Sequence, residues 1–465
     1  MSDLADLDII ALADAIADGA VTAEAVVGNA LDRAQLRTDL NAIVALDVDG
    51  ALETARACDK DRAAGRLRGP LHGVPLAHKD MFYRAGRITG CGSKIRAEYV
   101  ADETCPLLER LDRAGGVEIA RLHMAEFAMG PTGHNAHLGR CRNPWNGDAI
   151  TGGSSSGSGA VVGARIVPAA LGSDTGGSVR LPAAFCGIAG LKPTQYRLSQ
   201  KGMMPLSESL DTAGPLARST RSIARLMTIL LDGTEDFEAQ LTPDLTGVTI
   251  GVPTSYYTQD LDAEVAAALM ESRRVFAGLG ATVIDIDLPD HGGHAAMAAL
   301  VWAPEAAALH LDWLRDRPQD YGEQVRNRLL HGLSMPATHY VQARQMRAHD
   351  LQAMVEGPLA RCNTLLTPIC RFPVPMARDV EANGGPEMDR MIGGISALTR
   401  TISYLGLPAL TTPMGFDARG LPLGLQLIAR PRDEASLIRV GHAFETATGW
   451  LSRPLPISTH ELTGA

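Results

Sequence analysis

Apolar residues recur at helical spacing through "DIIALADAIADGAVTAEAVVGNALDRAQ" (8–35). That pattern predicts two helices broken at Gly19, with Thr22 placed to cap the second. In "GVPLAHKDMF" (73–82), Val74 to Ala77 form a short apolar run between Gly and Pro punctuation, which reads as a strand. "PLLERLDRAGGVEIARLHM" reads as helix, glycine turn and strand. The acidic stretch "DGTEDFEAQLTPDLTG" (232–247) has no apolar period and reads as a connection. Beyond it, "VTIGVP", "DAEVAAALMESRRVFAGLG" and "ATVIDIDLP" make a strand–helix–strand pattern, which favours parallel pairing. Residues 290–400 read as largely helical, most clearly in "EAAALHLDWLRDRPQDYGEQVRNRLLHG". The end, "LPALTTPMGFDARGLPLGLQLIARPRDEASLIRVGHAFETATG", reads strand, turn, strand, helix. The predicted class is α/β.

Composition changes this picture only by exclusion. The 465 residues are 45% hydrophobic and 21% charged, as in an ordinary globular protein, and only 4% are aromatic, so the core must be mainly Ala, Val, Leu and Ile. A net charge of −10 with no Lys/Arg run argues against nucleic-acid binding. The acidic start "MSDLADLDII" does not resemble an export signal. No uncharged apolar stretch is long enough to predict a membrane span. Seven cysteines (58, 91, 105, 141, 186, 362 and 370) form no CxxC pair, so they are expected as free buried thiols in a reducing, cytoplasmic setting.

One segment stands apart: "TGGSSSGSGAVVGARIVPAALGSDTGGSVRLPAAFCG" (151–187). A flexible linker would not run straight into the apolar "AVVGARIVPAALG". Gly157, Gly159 and Gly163, with Asp174 further on, loosely fit a dinucleotide loop, but that fingerprint needs a strand directly before its first glycine. Gly153, Ser155 and Gly157 fit the G-x-S-x-G elbow of α/β-hydrolases, with Ser155 as nucleophile; the strand that should lead into it is again missing. A two-part site remains, built on Ser154 and Ser178, 24 positions apart. Hydrolysis of an amide needs a nucleophile, a group to take its proton, and donors for the developing oxyanion. The run "DTGGS" suits the last task, because two glycines let successive N–H groups converge with no Cβ in the way.

"GGSSSGSGA…ALGSDTGGSVRLPAAFCGIAGLKPT" resembles the signature of the amidase signature family. The resemblance extends over nearly the whole chain, through "NPWN", "LDTAGPLARS" and "GLPLGLQLIARPRDE". It departs mildly in having "SSSGSG" where "SSGGS" is commoner. It implies one unit over 1–465, with N-terminal helices in 1–65, a catalytic core in 66–232 and a helical substrate-side stretch in 290–400. The implied fold is a large mixed sheet covered by helices on both faces. The family's Ser–cis-Ser–Lys triad falls on Lys79 as base, Ser154 as bridging cis-serine and Ser178 as nucleophile. The N–H groups of Thr175, Gly176, Gly177 and Ser178 are implied as the oxyanion hole. Ala128, Met129 and Ser154 are implied at the substrate, and Ser155, Asp174 and Arg180 as supports. Lys79 acts as a base only if burial favours its neutral form, and Asp80, its neighbour on an extended strand, is expected to point away from it.

Read alone, each of these residues has a plainer role: Lys79 as a surface lysine paired with Asp80, and the serines as loop serines. No metal or cofactor is implied. The expected substrate is a small amide or carbamate, cleaved through a Ser178 acyl-enzyme, with no nucleic acid and no membrane and with a homodimer as the family's precedent. The alternative within the family is the glutaminase component of the glutamyl-tRNA(Gln) amidotransferase, its A chain. That protein usually reads Arg-Gln-Pro where this chain has Arg180-Leu181-Pro182. "HLDWLRDRPQDYGEQVRNRLLHG" also resembles a segment of bacterial amidases acting on biuret-like amides and carbamates. Trp302, Trp313, Tyr321, Phe372 and Met391 are candidates for an apolar lining.

Overall fold

The structure is a computed structural model that describes residues 4–289, 291–380 and 386–456. Among them, eleven strands form one sheet. In chain order these are β1 (Ile43–Leu46), β2 (Pro75–Lys79), β3 (Val117–Leu122), β4 (Ala169–Ser173), β5 (Ala189–Lys192), β6 (Ala213–Ala217), β7 (Thr249–Pro253), β8 (Thr282–Ile286), β9 (Thr364–Pro368), β10 (Ala409–Phe416) and β11 (Pro422–Ile428). Their order across the sheet is β1-β3-β2-β4-β6-β5-β10-β11-β9-β7-β8. β2 runs parallel to β3 and β4, and β7 parallel to β8 and β9, while the remaining pairs are antiparallel. The sheet is mixed and the class is α/β.

The N-terminal helices Ile9–Ala17 and Ala23–Leu36 break at Gly19, which takes a left-handed φ of 74°. Thr22 caps the second helix by accepting from the Ala25 N–H. The strand–helix–strand pattern after 247 is β7, the helix Ala263–Gly278 and β8, paired in parallel. The helical stretch from 290 to 400 holds one element that periodicity does not reveal. β9 inserts between β11 and β7. Its residues TLLTP are buried throughout, and a short apolar run buried on both faces has no alternation to mark it as a strand. The longest helical run expected there is also interrupted. It breaks into Gly292–Leu309, Leu311–Asp316 and Glu323–Ser334, with Pro318 and Gly322 in the connection.

Small residues at the centre of the sheet decide what packs there. β4 (AALGS), β5 (AGLK) and β6 (AGPLA) are buried along their whole length. Their glycines admit the short helices Ser156–Gly163 and Arg180–Phe185 almost to backbone contact. A Cβ on Gly172 would stand 2.7 Å from Ser155 Oγ, and one on Gly190 would stand 2.6 Å from Ala183 Cβ. The Gly/Ser segment is therefore packed core. All seven cysteines are free and buried. No helix among the described residues is long and apolar enough to cross a membrane.

The helices Gly292–Leu309 and Glu323–Ser334 meet at Gly332, where a Cβ would stand 2.2 Å from the Ala303 carbonyl oxygen. Gly332→Ala must separate the two helices, at a cost of about 1–3 kcal/mol. Thermal denaturation should show a lower Tm for this variant; an unchanged Tm would contradict the packing described.

Candidate active site

Lys79 ends β2, and the parallel register pairs His78 with Leu171 of β4, so Lys79 lies beside the end of that strand. Its side chain is fully buried and donates to Ser154 Oγ at 2.7 Å and to Ser173 Oγ at 2.9 Å. Burial lowers the lysine to about 7, against the opposing pull of Asp211 and Asp174. Asp80 points away as expected: it accepts from Arg121 and from the Gly90 N–H. The peptide bond between Gly153 and Ser154 is cis. Ser154 itself is fully buried, with its carbonyl accepting from the Ala125 N–H. It lies behind the cavity wall, and Gly153 is the residue on that wall.

After β4 the chain turns through residues 174–178 and enters the helix Arg180–Phe185. Asp174 shapes this turn. Its Oδ1 accepts from the Gly177 N–H at 2.8 Å and from Arg180 Nη2 at 2.9 Å, and its Oδ2 accepts from the Val179 N–H at 3.2 Å and from Arg180 Nε at 2.9 Å. Burial works against this carboxylate, but the Arg180 guanidinium prevails and holds it down at about 2. Arg180 in turn donates to Gln426 Oε1, Ser403 Oγ and the Thr399 carbonyl, which ties the turn to β11 and to the helix Ala397–Leu405.

These bonds correct one expectation. The Gly177 N–H is engaged by Asp174, so it is not available to an oxyanion. The N–H groups of Thr175, Gly176 and Ser178 find no acceptor among the described residues. Thr175 Oγ1 donates to Asp211, which also accepts from the Leu206 and Ser207 N–H groups. Burial raises Asp211 to about 6 despite those donors. Ser155 is fully buried, its Oγ bonded to the Ser173 backbone, and no strand leads into it. Nothing brings it to the cavity.

That cavity encloses about 220 Å³ and is lined by Ser178 together with Thr175, Gly176 and Leu181 from the signature stretch. Ala128 and Met129 form another part of the wall. They follow Phe127, which, like Ala128, has left-handed backbone, with φ of 46° and 63°. Phe127 is locked there by rings, with its centroid 4.4 Å from His310 and 5.9 Å from both Trp313 and Tyr321. Of the five apolar candidates only Trp302 faces the cavity. Trp313 and Tyr321 brace the Phe127 loop, Phe372 packs on Gly394, and Met391 joins a separate apolar cluster. The remaining wall includes Leu206, Ala298, Ile392, Ser396, Arg328 and Arg400. Ser173, Asp211 and both arginines escape the reading of the sequence. Ser173 stands within "GSDTGGS" and is readable by adjacency, whereas nothing local marks Arg328 or Arg400.

The Amidase family model matches residues 25–438. The chain is 36% identical to the A chain of glutamyl-tRNA(Gln) amidotransferase from Chromohalobacter salexigens, over 97% of this chain and 98% of that one. A structure described as "An unexpected vestigial protein complex reveals the evolutionary origins of an s-triazine catabolic enzyme" superposes with a TM-score of 0.88 at 33% identity, covering 95% of this chain and 99% of that one. The peptide amidase of Stenotrophomonas maltophilia superposes with a TM-score of 0.83 at 27% identity, covering 97% and 98%.

The Asp174–Arg180 pair is fully buried on both sides. Arg180→Met leaves Asp174 charged and unpaired, which costs about 3–5 kcal/mol. Thermal denaturation should show a large loss, partly recovered in the Asp174→Asn/Arg180→Met double variant. A double variant no better than the single would contradict the pairing.

Proposed function

Since the chain belongs to the amidase family, we propose that it hydrolyses the C–N bond of a small amide through a covalent intermediate on Ser178. The observation that carries this reading is the buried Lys79–Ser154 hydrogen bond, with Gly153, the residue before Ser154, on the same cavity wall as Ser178. Ser178 is half-buried, and its hydroxyl bonds to no described residue, which leaves it available to substrate.

In this mechanism Ser178 Oγ attacks the amide carbon, and its proton passes to Ser154 Oγ as the Ser154 proton passes to neutral Lys79 Nζ. Unpaired N–H groups of Thr175, Gly176 and Ser178 receive the oxyanion. The relay then runs in reverse and protonates the departing amine. Water, deprotonated through the same serine and lysine, attacks the resulting ester and releases the acid. Ala128 and Met129 bound the acyl side, and Thr175 is steadied by Asp211.

A second reading is favoured by the 36% identity to the amidotransferase chain. Under it the same chemistry releases ammonia from glutamine, within a complex. Leu181 on the cavity wall, where that protein usually has glutamine, favours the first reading.

Treatment with a fluorophosphonate followed by peptide mass spectrometry should place the adduct on Ser178; an adduct on Ser155 would sink the mechanism. Neutral Lys79 is the working base, so kcat/KM should rise with pH through about 7 and level off above it. Lys79→Ala should lower kcat about 10²–10⁴-fold and remove that acid limb. A profile flat from pH 5 to 9 in the unaltered enzyme would exclude Lys79 as the titrating base.

A further inference from the structure

The described cavity wall holds two guanidinium groups, Arg328 and Arg400, and no carboxylate. Arg328 donates to the Met129 carbonyl and so helps fix the Ala128–Met129 wall. Arg400 is differently placed. Its stem lies on the Gly176 backbone, where a Cβ would meet Arg400 Cγ at 3.1 Å. Its Nε donates to the Ser396 carbonyl at 3.4 Å and its Nη2 to the Gly393 carbonyl at 2.7 Å. A guanidinium carries five N–H donors. Three therefore remain on Arg400, two on Nη1 and one on Nη2, the end-on fork that matches a carboxylate.

Among the described residues, no Asp or Glu forms an ion pair with this side chain. Burial pushes it below the usual arginine range, with only the Tyr256 phenol opposing. A partly buried charge without a counter-ion is costly, and other arginines of this chain are paired, Arg180 with Asp174 and Arg84 with Glu118 among them. Its position relative to the nucleophile is also fixed. The preceding residue, Thr399, donates through Oγ1 to the Gly176 carbonyl at 2.6 Å, and its own carbonyl accepts from Arg180.

Building on the Ser178 mechanism above, we propose that Arg400 receives a carboxylate of the substrate, so that this enzyme prefers small amides carrying an anionic group. The fork anchors the anionic end and leaves the amide carbonyl between Ser178 and the free N–H groups.

The test compares ammonia release from three amic acids (malonamate, succinamate and glutaramate) with that from neutral amides of matching length (propionamide, butyramide and valeramide). At least one amic acid should exceed its neutral counterpart in kcat/KM by about 100-fold, as truncating one side of a buried charged pair would predict. Arg400→Met should abolish the amic-acid advantage through KM, and Arg400→Lys should restore part of it. Fluorophosphonate labelling of Ser178 also reports that the variants fold.

Equal losses on charged and neutral amides would overturn the proposal and make Arg400 a support for the carbonyls of residues 393 and 396. Labelling of Ser178 without turnover of any amic acid would overturn it while leaving the nucleophile standing. Neither labelling nor ammonia release would overturn both.

Discussion

The molecule is organised around one buried carboxylate. Asp174 leaves the end of β4 and gathers three backbone N–H groups, those of Gly177, Val179 and Arg180, and the Arg180 guanidinium. Ser403 also donates to it. The same arginine reaches β11 through Gln426 and the helix Ala397–Leu405 through Thr399. The turn carrying Ser178 is thus tied to a strand and to a helix by groups that have left water entirely. Such a network is stable only when complete, since each missing partner would strand a charge in low dielectric. The close glycine contacts of β4 and β5 serve the same end, because they let the two short helices around the serines approach the strands that hold Lys79 and Asp174.

Much of this is legible in the chain. The N-terminal helix pair, the β7–β8 unit and the closing β10–β11 hairpin follow from apolar period and turn chemistry. The juxtaposition of Lys79 with Ser154, 75 residues apart, comes from resemblance and not from pattern. No local rule connects a strand end with a glycine loop at that distance. β9 is hidden because a strand buried on both faces loses its alternation. Gly177 misleads because sequence shows a flexible donor and cannot show that an aspartate three residues earlier has engaged it. Composition assigns Trp313 and Tyr321 to the cavity, while their rings are committed to holding Phe127 in left-handed backbone.

Membership in the amidase family sets the bond type and leaves the substrate to the wall. Relatives that superpose on nearly the whole chain include a peptide amidase and a member of an s-triazine-related complex, and the amidotransferase chain matches over a similar span. One backbone arrangement is therefore shared by a peptide amidase and an amidotransferase chain. In this chain the described wall of a small cavity carries two guanidinium groups, Arg328 and Arg400.

The cavity is assembled from two separate stretches of chain. Residues up to 206 contribute Ser178, the proposed nucleophile, and the backbone N–H groups beside it, and residues from 298 to 400 contribute the aromatic and cationic side. The contact between them at Gly176 is made by the stem of Arg400 and by the Thr399 hydroxyl, and neither carries out the bond cleavage. Substitutions at Ala298, Trp302 or Ile392 can therefore reshape the cavity without touching the turn, whereas Thr399 and Ser403, from the same stretch, are tied to it and are not free to change.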